Sequence, residues 1–142
     1  MNKTIAIAGL GWLGKPFSIH LQNLGYRIKG SVTSIEKAGT LQRNGIETYP
    51  VEISEDGVSG EVEAFLKDID CLVIMIPPGL RKNTGANHVA KMSHFLNEIE
   101  KSSVKNVILV SSTSVYSDAQ GTVTEKDKPI AETNAAKQLI EV

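Results

Sequence analysis

Apolar and β-branched residues gather in five short runs along the chain: TIAIAG (4–9), RIKGSV (27–32), IETYPV (46–51), CLVIMI (71–76) and NVILVS (106–111). Runs of this length and composition, set between turn-forming stretches, predict strands. The first, fourth and fifth are apolar on both faces, as strands of a covered parallel sheet are. Between the runs the spacing is helical. Leu13, Phe17, Leu21 and Leu24 fall on one helix face, Pro16 suits the first turn of that helix, and Gly25 suits its end. Ser34 can cap a second helix running to about Asn44, with Gly45 after it. Residues 61–67 predict a short helix. Residues 86–102 predict a longer one with Val89, Met92, Leu96 and Ile99 on one side, and a tail helix follows Pro129. The acidic stretch SEDGVSGEVE (54–63) reads as a solvated loop.

Strands alternating with helices and joined by right-handed crossovers give an α/β fold: a doubly wound parallel sheet with helices on both faces, three layers in all. The expected strand order is 3-2-1-4-5. No linker, repeat or low-complexity segment divides the sequence, so residues 1–142 are expected to form one domain. The loop at 112–130 is long for a compact domain, and such loops are often functional.

Hydrophobic residues make up 41% and charged residues 22% of the chain, ordinary values for a globular protein. The formal net charge of −1 argues against a nucleic acid or an anionic membrane surface as partner. No apolar run approaches the length of a membrane span. The first residues carry no cleavage signal, and the single cysteine, Cys71, lies inside a core-like run, so a cytoplasmic location is expected. The three histidines lack metal-ligand spacing, and no metal is expected.

The first candidate site is the turn GLGWLG (9–14). It follows a buried strand and opens an amphipathic helix, the context in which a G-x-G-x-x-G pattern becomes specific for a dinucleotide. Gly9 lets the chain turn, Gly11 lets the backbone approach a pyrophosphate, and Gly14 lets helix and strand pack closely. The start of the helix then offers free N–H groups and a positive dipole end to the anion, so Gly9, Gly11, Trp12, Leu13 and Gly14 are the expected cofactor-binding residues of the turn. This is the Rossmann, NAD(P)-binding arrangement. The end of the second strand reads Ser31-Val32-Thr33-Ser34 and lacks the carboxylate that grips an NAD ribose. Lys37 sits in the first turn of the next helix, where a cation opposes the macrodipole and a bound 2′-phosphate would relieve it. Thr33, Ser34 and Lys37 therefore point to NADP, with NAD possible. Pro77-Pro78-Gly79 after the fourth strand either lines the nicotinamide half of the site or simply ends the strand.

The second candidate site is SSTSVYS (111–117), which follows the fifth strand. Together with GLGWLG it resembles the extended short-chain dehydrogenase/reductase superfamily, the group that includes NAD(P)-dependent epimerases and dehydratases. The PPG after strand four resembles its atypical epimerase-like members. The resemblance implies that Ser112 hydrogen-bonds a substrate oxygen. It also implies a Tyr and, four residues later, a Lys on one helix, the Tyr as general acid/base and the Lys lowering its pKa. In PIAETNAAK (129–137) the lysine position is Lys137, but the tyrosine position holds Thr133. Catalysis by the usual proton relay is therefore doubtful from the sequence.

The resemblance implies an oxidoreductase domain acting on a small-molecule substrate that the sequence does not name. It further implies that the chain is the N-terminal, cofactor-binding part of a longer protein. A homo-oligomer is expected, because strand five would lie open at the sheet edge and related enzymes commonly dimerise through the helices at 86–102 and 131–142. Two alternatives stay open: a non-catalytic dinucleotide-binding module, which the missing tyrosine favours, and a β-hydroxyacid dehydrogenase-like domain, whose opening IAIAGLGWLGKPFSIHLQNLGY also resembles.

Overall fold

A computed structural model describes residues 3–79 and 85–142. The strands are β1 (Thr4–Ala8), β2 (Arg27–Val32), β3 (Glu47–Ser54), β4 (Gly57–Gly60), β5 (Cys71–Ile74) and β6 (Val107–Leu109). The helices are α1 (Gly14–Asn23), α2 (Ile35–Arg43), α3 (Val62–Leu66), α4 (His88–Lys101) and α5 (Asn134–Glu141). The sheet order is β4-β3-β2-β1-β5-β6. The five strands expected from the sequence pair in parallel and in the expected order. The sixth, β4, is an addition that pairs antiparallel with β3. It corrects the reading of 54–63 as a loop. The chain turns at Glu55-Asp56, and Gly57 and Gly60, at φ 151° and 91°, bracket a two-residue core that extends the sheet.

Two apolar clusters hold the layers together. On one face Ile7, Leu10, Leu21, Ile28, Ala38, Leu41 and Val73 join β1, β2 and β5 to α1 and α2. On the other, Ala6, Ala8, Val51, Phe65, Leu72, Met92, Phe95 and Ile99 join the sheet to α3 and α4. The buried stripe of α4 is His88, Met92, Phe95 and Ile99. It is rotated from the expected one: Phe95 is fully buried and Leu96 is 52% exposed. On α1 the expected stripe is only partly realised. Leu21 is buried, whereas Leu13 and Leu24 lie just outside the helix ends and are exposed.

The last strand departs most from expectation. Val107, Ile108 and Leu109 are 46%, 55% and 44% exposed, not covered on both faces. β6 bonds to β5 on one side, with Leu72 donating to the Asn106 carbonyl and Val110 to that of Ile74, and among the described residues no helix packs squarely on it. Its apolar character marks a surface that the described residues leave open.

β2 carries a buried lysine. The Lys29 ammonium donates to the carbonyls of Ala64 (3.0 Å) and Lys67 (2.7 Å) at the end of α3 and lies 5.4 Å from the Tyr49 ring centroid. Burial lowers its pKa. Beside it, the Tyr49 hydroxyl donates to Glu47 at 2.6 Å, and Arg27 holds the same carboxylate through two hydrogen bonds. Burial works against the Glu47 charge, but these hydrogen bonds outweigh it and hold the carboxyl below its usual range. Burial, and then the hydrogen bond to Glu47, push the Tyr49 phenol up to about 12. A phenol whose folded pKa is raised contributes stability that is present below about pH 10 and lost as the pH rises through about 12. Phenolate absorbance of the wild type minus that of Tyr49→Phe is therefore expected to show one group titrating near pH 12, with the alkaline loss of stability smaller in the variant. A difference curve centred at the ordinary tyrosine value would refute the buried hydrogen bond.

Candidate functional site

Parallel strands share one carboxyl edge, and open α/β sheets build their sites there. Along that edge the chain places the glycine turn after β1, Thr33 and Ser34 after β2, Pro77 and Pro78 after β5, and the hydroxyl-rich segment after β6.

The glycine turn has three distinct geometries. Gly9 has a φ of 101°, and a Cβ on it would lie 2.9 Å from the Met75 carbonyl oxygen. A Cβ on Gly14 would lie 2.1 Å from the Gly9 carbonyl oxygen. At Gly11 a Cβ would meet nothing within 4 Å, so this position faces open space. Three glycines thus serve a backbone twist, a helix–turn contact and a free approach. The Gly9 and Leu10 amides are spent on β2: Gly9 donates to Ser31 Oγ (3.1 Å) and Leu10 to the Ser31 carbonyl (2.9 Å). Among the described residues no acceptor is found for the amides of Gly11, Trp12, Leu13 or Gly14, and the helical ladder resumes with Lys15 donating to Gly11. Four consecutive unpaired donors thus stand at a helix start, beside a position with no Cβ, where an anion is favoured by the N–H groups and the helix dipole. Trp12 is 90% exposed at its rim.

After β2, Thr33 is exposed and Ser34 caps α2, its hydroxyl accepting from the Lys37 amide at 3.1 Å. The Lys37 side chain is exposed next to Glu36 in the same turn. β5 pairs with β1 and Met75 donates to the Ala8 carbonyl, so Pro77 and Pro78 leave the sheet beside the glycine turn.

The hydroxyl segment forms two short 3-10 turns, 113–115 and 118–120. Ser112 caps the first, its hydroxyl accepting from the Ser114 amide at 3.2 Å, and is exposed. The Tyr116 hydroxyl donates to the Thr124 carbonyl at 3.3 Å, which ties the long loop to itself. Helix α5 packs against the 113–115 turn, with Val115 and Ala136 buried. This brings the segment bearing Ser112 beside the helix bearing the exposed Lys137. Thr133, at the tyrosine position, begins this helix. Its hydroxyl caps α5, accepting from the Ala136 amide at 3.1 Å.

Gln138 docks α5 on the start of α4, accepting from the His88 amide and donating to the Ala86 carbonyl. His88 is 2% exposed, and among the described residues its Nδ1 is the one buried side-chain nitrogen or oxygen without a partner. Burial, and then the nearby Lys91, lower its pKa. An open depression of about 580 Å³ between α4 and α5 is lined by Asn87, Ser93, Asn134 and Gln138. It includes none of the residues of the glycine turn. Among the described residues no helix is long and apolar enough to cross a membrane, and no cluster of His, Cys, Asp or Glu could hold a metal.

Sequence reading missed the contacts of Gly30 and Ser31 with the glycine turn and the burial of His88. A glycine inside a strand pattern was the available signal, since it often marks a close approach of another part of the chain.

No family model matches the chain. Protein YeeZ of Escherichia coli is 32% identical over 142 residues, which span 99% of this chain and 52% of YeeZ. The chain thus covers about half the length of the curated relatives it matches. Among solved structures, UDP-N-acetylglucosamine 4-epimerase from Bacillus cereus superposes with a TM-score of 0.75 at 17% identity, over 98% of this chain and 46% of that one. A putative NAD-dependent epimerase/dehydratase from Methylobacillus flagellatus gives 0.69 at 21%, over 99% and 49%. A short-chain dehydrogenase/reductase superfamily protein from Agrobacterium tumefaciens, with bound NAD, gives 0.70 at 17%, over 96% and 42%. The fold is the one these proteins share. It is a Rossmann fold, as the order of strands and the glycine turn imply.

Proposed function

We propose that the chain is the dinucleotide-binding domain of an epimerase/dehydratase-like oxidoreductase, and that it prefers NADP(H). The observation that carries the reading is the glycine turn, where four unpaired amides adjoin a glycine whose missing Cβ leaves open space. The amides of Gly11, Trp12, Leu13 and Gly14 would hold the pyrophosphate, and the start of α2 would hold the adenosine ribose end. Thr33 and Lys37 are exposed there and no carboxylate ends β2, which suits a 2′-phosphate better than a free ribose hydroxyl pair. The cofactor would supply hydride chemistry; the chain's own groups bind and orient it. Ser112 can hydrogen-bond a carbonyl or hydroxyl, and Lys137 would supply positive charge from the helix that packs against the next turn.

Calorimetric titration tests the reading. NADPH is expected to bind more tightly than NADH, and Lys37→Ala is expected to narrow the gap by about tenfold, the worth of one charge-assisted contact. Tighter NADH binding, or an unchanged preference in Lys37→Ala, would remove the NADP assignment. Binding of neither cofactor would remove the whole reading.

A second reading, a dinucleotide-binding module without turnover, is favoured by Thr133. An aliphatic hydroxyl, far less acidic than a phenol, cannot replace it as general acid. A substrate-panel assay following NADPH absorbance separates the two readings.

A further inference from the structure

We infer that Gly30 and Ser31, on the neighbouring strand, are positioning residues for the dinucleotide turn, an inference that rests on the dinucleotide reading above. Gly30 lies in the interior of β2, paired with Ile7, where its φ requires no glycine. Glycine weakens a strand interior, so its presence there asks for a reason. The reason is Leu10, the residue between the first two glycines of the turn. A Cβ on Gly30 would lie 2.2 Å from Leu10 Cδ1 and 2.6 Å from its Cγ. Leu10 occupies the space that the missing side chain leaves, and it is 9% exposed in that seat.

Ser31 completes the attachment. It is 5% exposed, its Oγ accepts from the Gly9 amide, and its carbonyl accepts from the Leu10 amide. β2 therefore sorts the amides of the turn. Two consecutive donors are bound to the strand, and the next four remain for an anion. Hydrogen bonds to a phosphate need each donor within a few tenths of an ångström of its place. The depth at which Leu10 sits in β2 sets that place for all four. A methyl group on Gly30 would lift Leu10, and with it the amides of Gly11 to Gly14, without touching any atom of the ligand.

The test uses NADPH titration and thermal unfolding on the wild-type chain, Gly30→Ala, Ser31→Ala, Leu10→Ala and the double variant Leu10→Ala/Gly30→Ala. Gly30→Ala is expected to bind NADPH about tenfold or more weakly, the worth of one lost charge-assisted hydrogen bond, while keeping its far-ultraviolet circular dichroism. The double variant, in which the smaller residue 10 leaves room for the new methyl, is expected to bind more tightly than Gly30→Ala alone. A role confined to stability would shift melting temperatures without this rescue of affinity. Ser31→Ala is expected to weaken NADPH binding severalfold, and it carries the test should Gly30→Ala fail to fold. Wild-type affinity in folded Gly30→Ala or in Ser31→Ala, or no gain in the double variant, overturns the inference while leaving the dinucleotide reading standing. A wild-type chain that binds neither NADPH nor NADH overturns both.

Discussion

Gly11→Val is expected to fold normally and to lose the dinucleotide. Gly11 is exposed, its φ lies outside the left-handed region, and a Cβ there has no neighbour within 4 Å, so the branched side chain meets no protein atom at its root. What it occupies is the approach to the four unpaired amides. Keeping a pyrophosphate out of reach of two of them forfeits about 3–6 kcal/mol, at about 1.5–3 kcal/mol for each hydrogen bond to a charged group. That is a loss of about a hundredfold or more in affinity. Calorimetric titration and a thermal melt, run side by side, check both halves of the statement. Unchanged affinity in the folded variant would mean that any bound dinucleotide lies elsewhere.

Gly14→Ala is expected to do the reverse, damaging the fold before the site. Alanine is the better helix former by about 1 kcal/mol, so propensity alone predicts a gain. Against this stands a Cβ 2.1 Å from the Gly9 carbonyl oxygen, far inside contact distance. That carbonyl cannot swing aside freely. Gly9 is already at positive φ, its amide is held by Ser31, and its own face lies against Met75. Overpacking of this kind costs about 1–3 kcal/mol, occasionally more, and here the obstacle is backbone, not a flexible side chain. Against a total stability of about 5–15 kcal/mol the loss is easily measured. The urea midpoint is expected to fall while the slope holds. A midpoint at or above that of the wild type would show that helix and turn separate at little cost.

The two glycines look alike in the sequence, and the difference between them illustrates what sequence could and could not give. The order of the parallel strands was legible because β-branched runs alternate with helical spacing, and few topologies satisfy that alternation. The strand β4 was not, because GVSG offers one apolar residue and two glycines; what makes it a strand is the neighbouring edge of β3, which local pattern does not encode. The rotation of α4 escaped for a related reason. His88, a polar residue, sits on its buried stripe, and its backbone amide is held by Gln138 of α5, which arrives from far along the chain. Gly9, Gly11 and Gly14 could be read because their pattern and context are local. Gly30 and Ser31 could not be placed against them, since Leu10 reaches them only after β1 and β2 have paired.

Thr133 shows how one position can be claimed by two demands. Its oxygen begins the helix that carries Lys137. A tyrosine there would offer a proton but leave the Ala136 amide without its cap, at a cost of about 0.5–2 kcal/mol to the start of that helix. The phenol and the lysine it would need are thus set against each other, since installing the first loosens the support of the second. A chain that once settled on threonine here would find the way back to tyrosine uphill unless another residue first took over the cap.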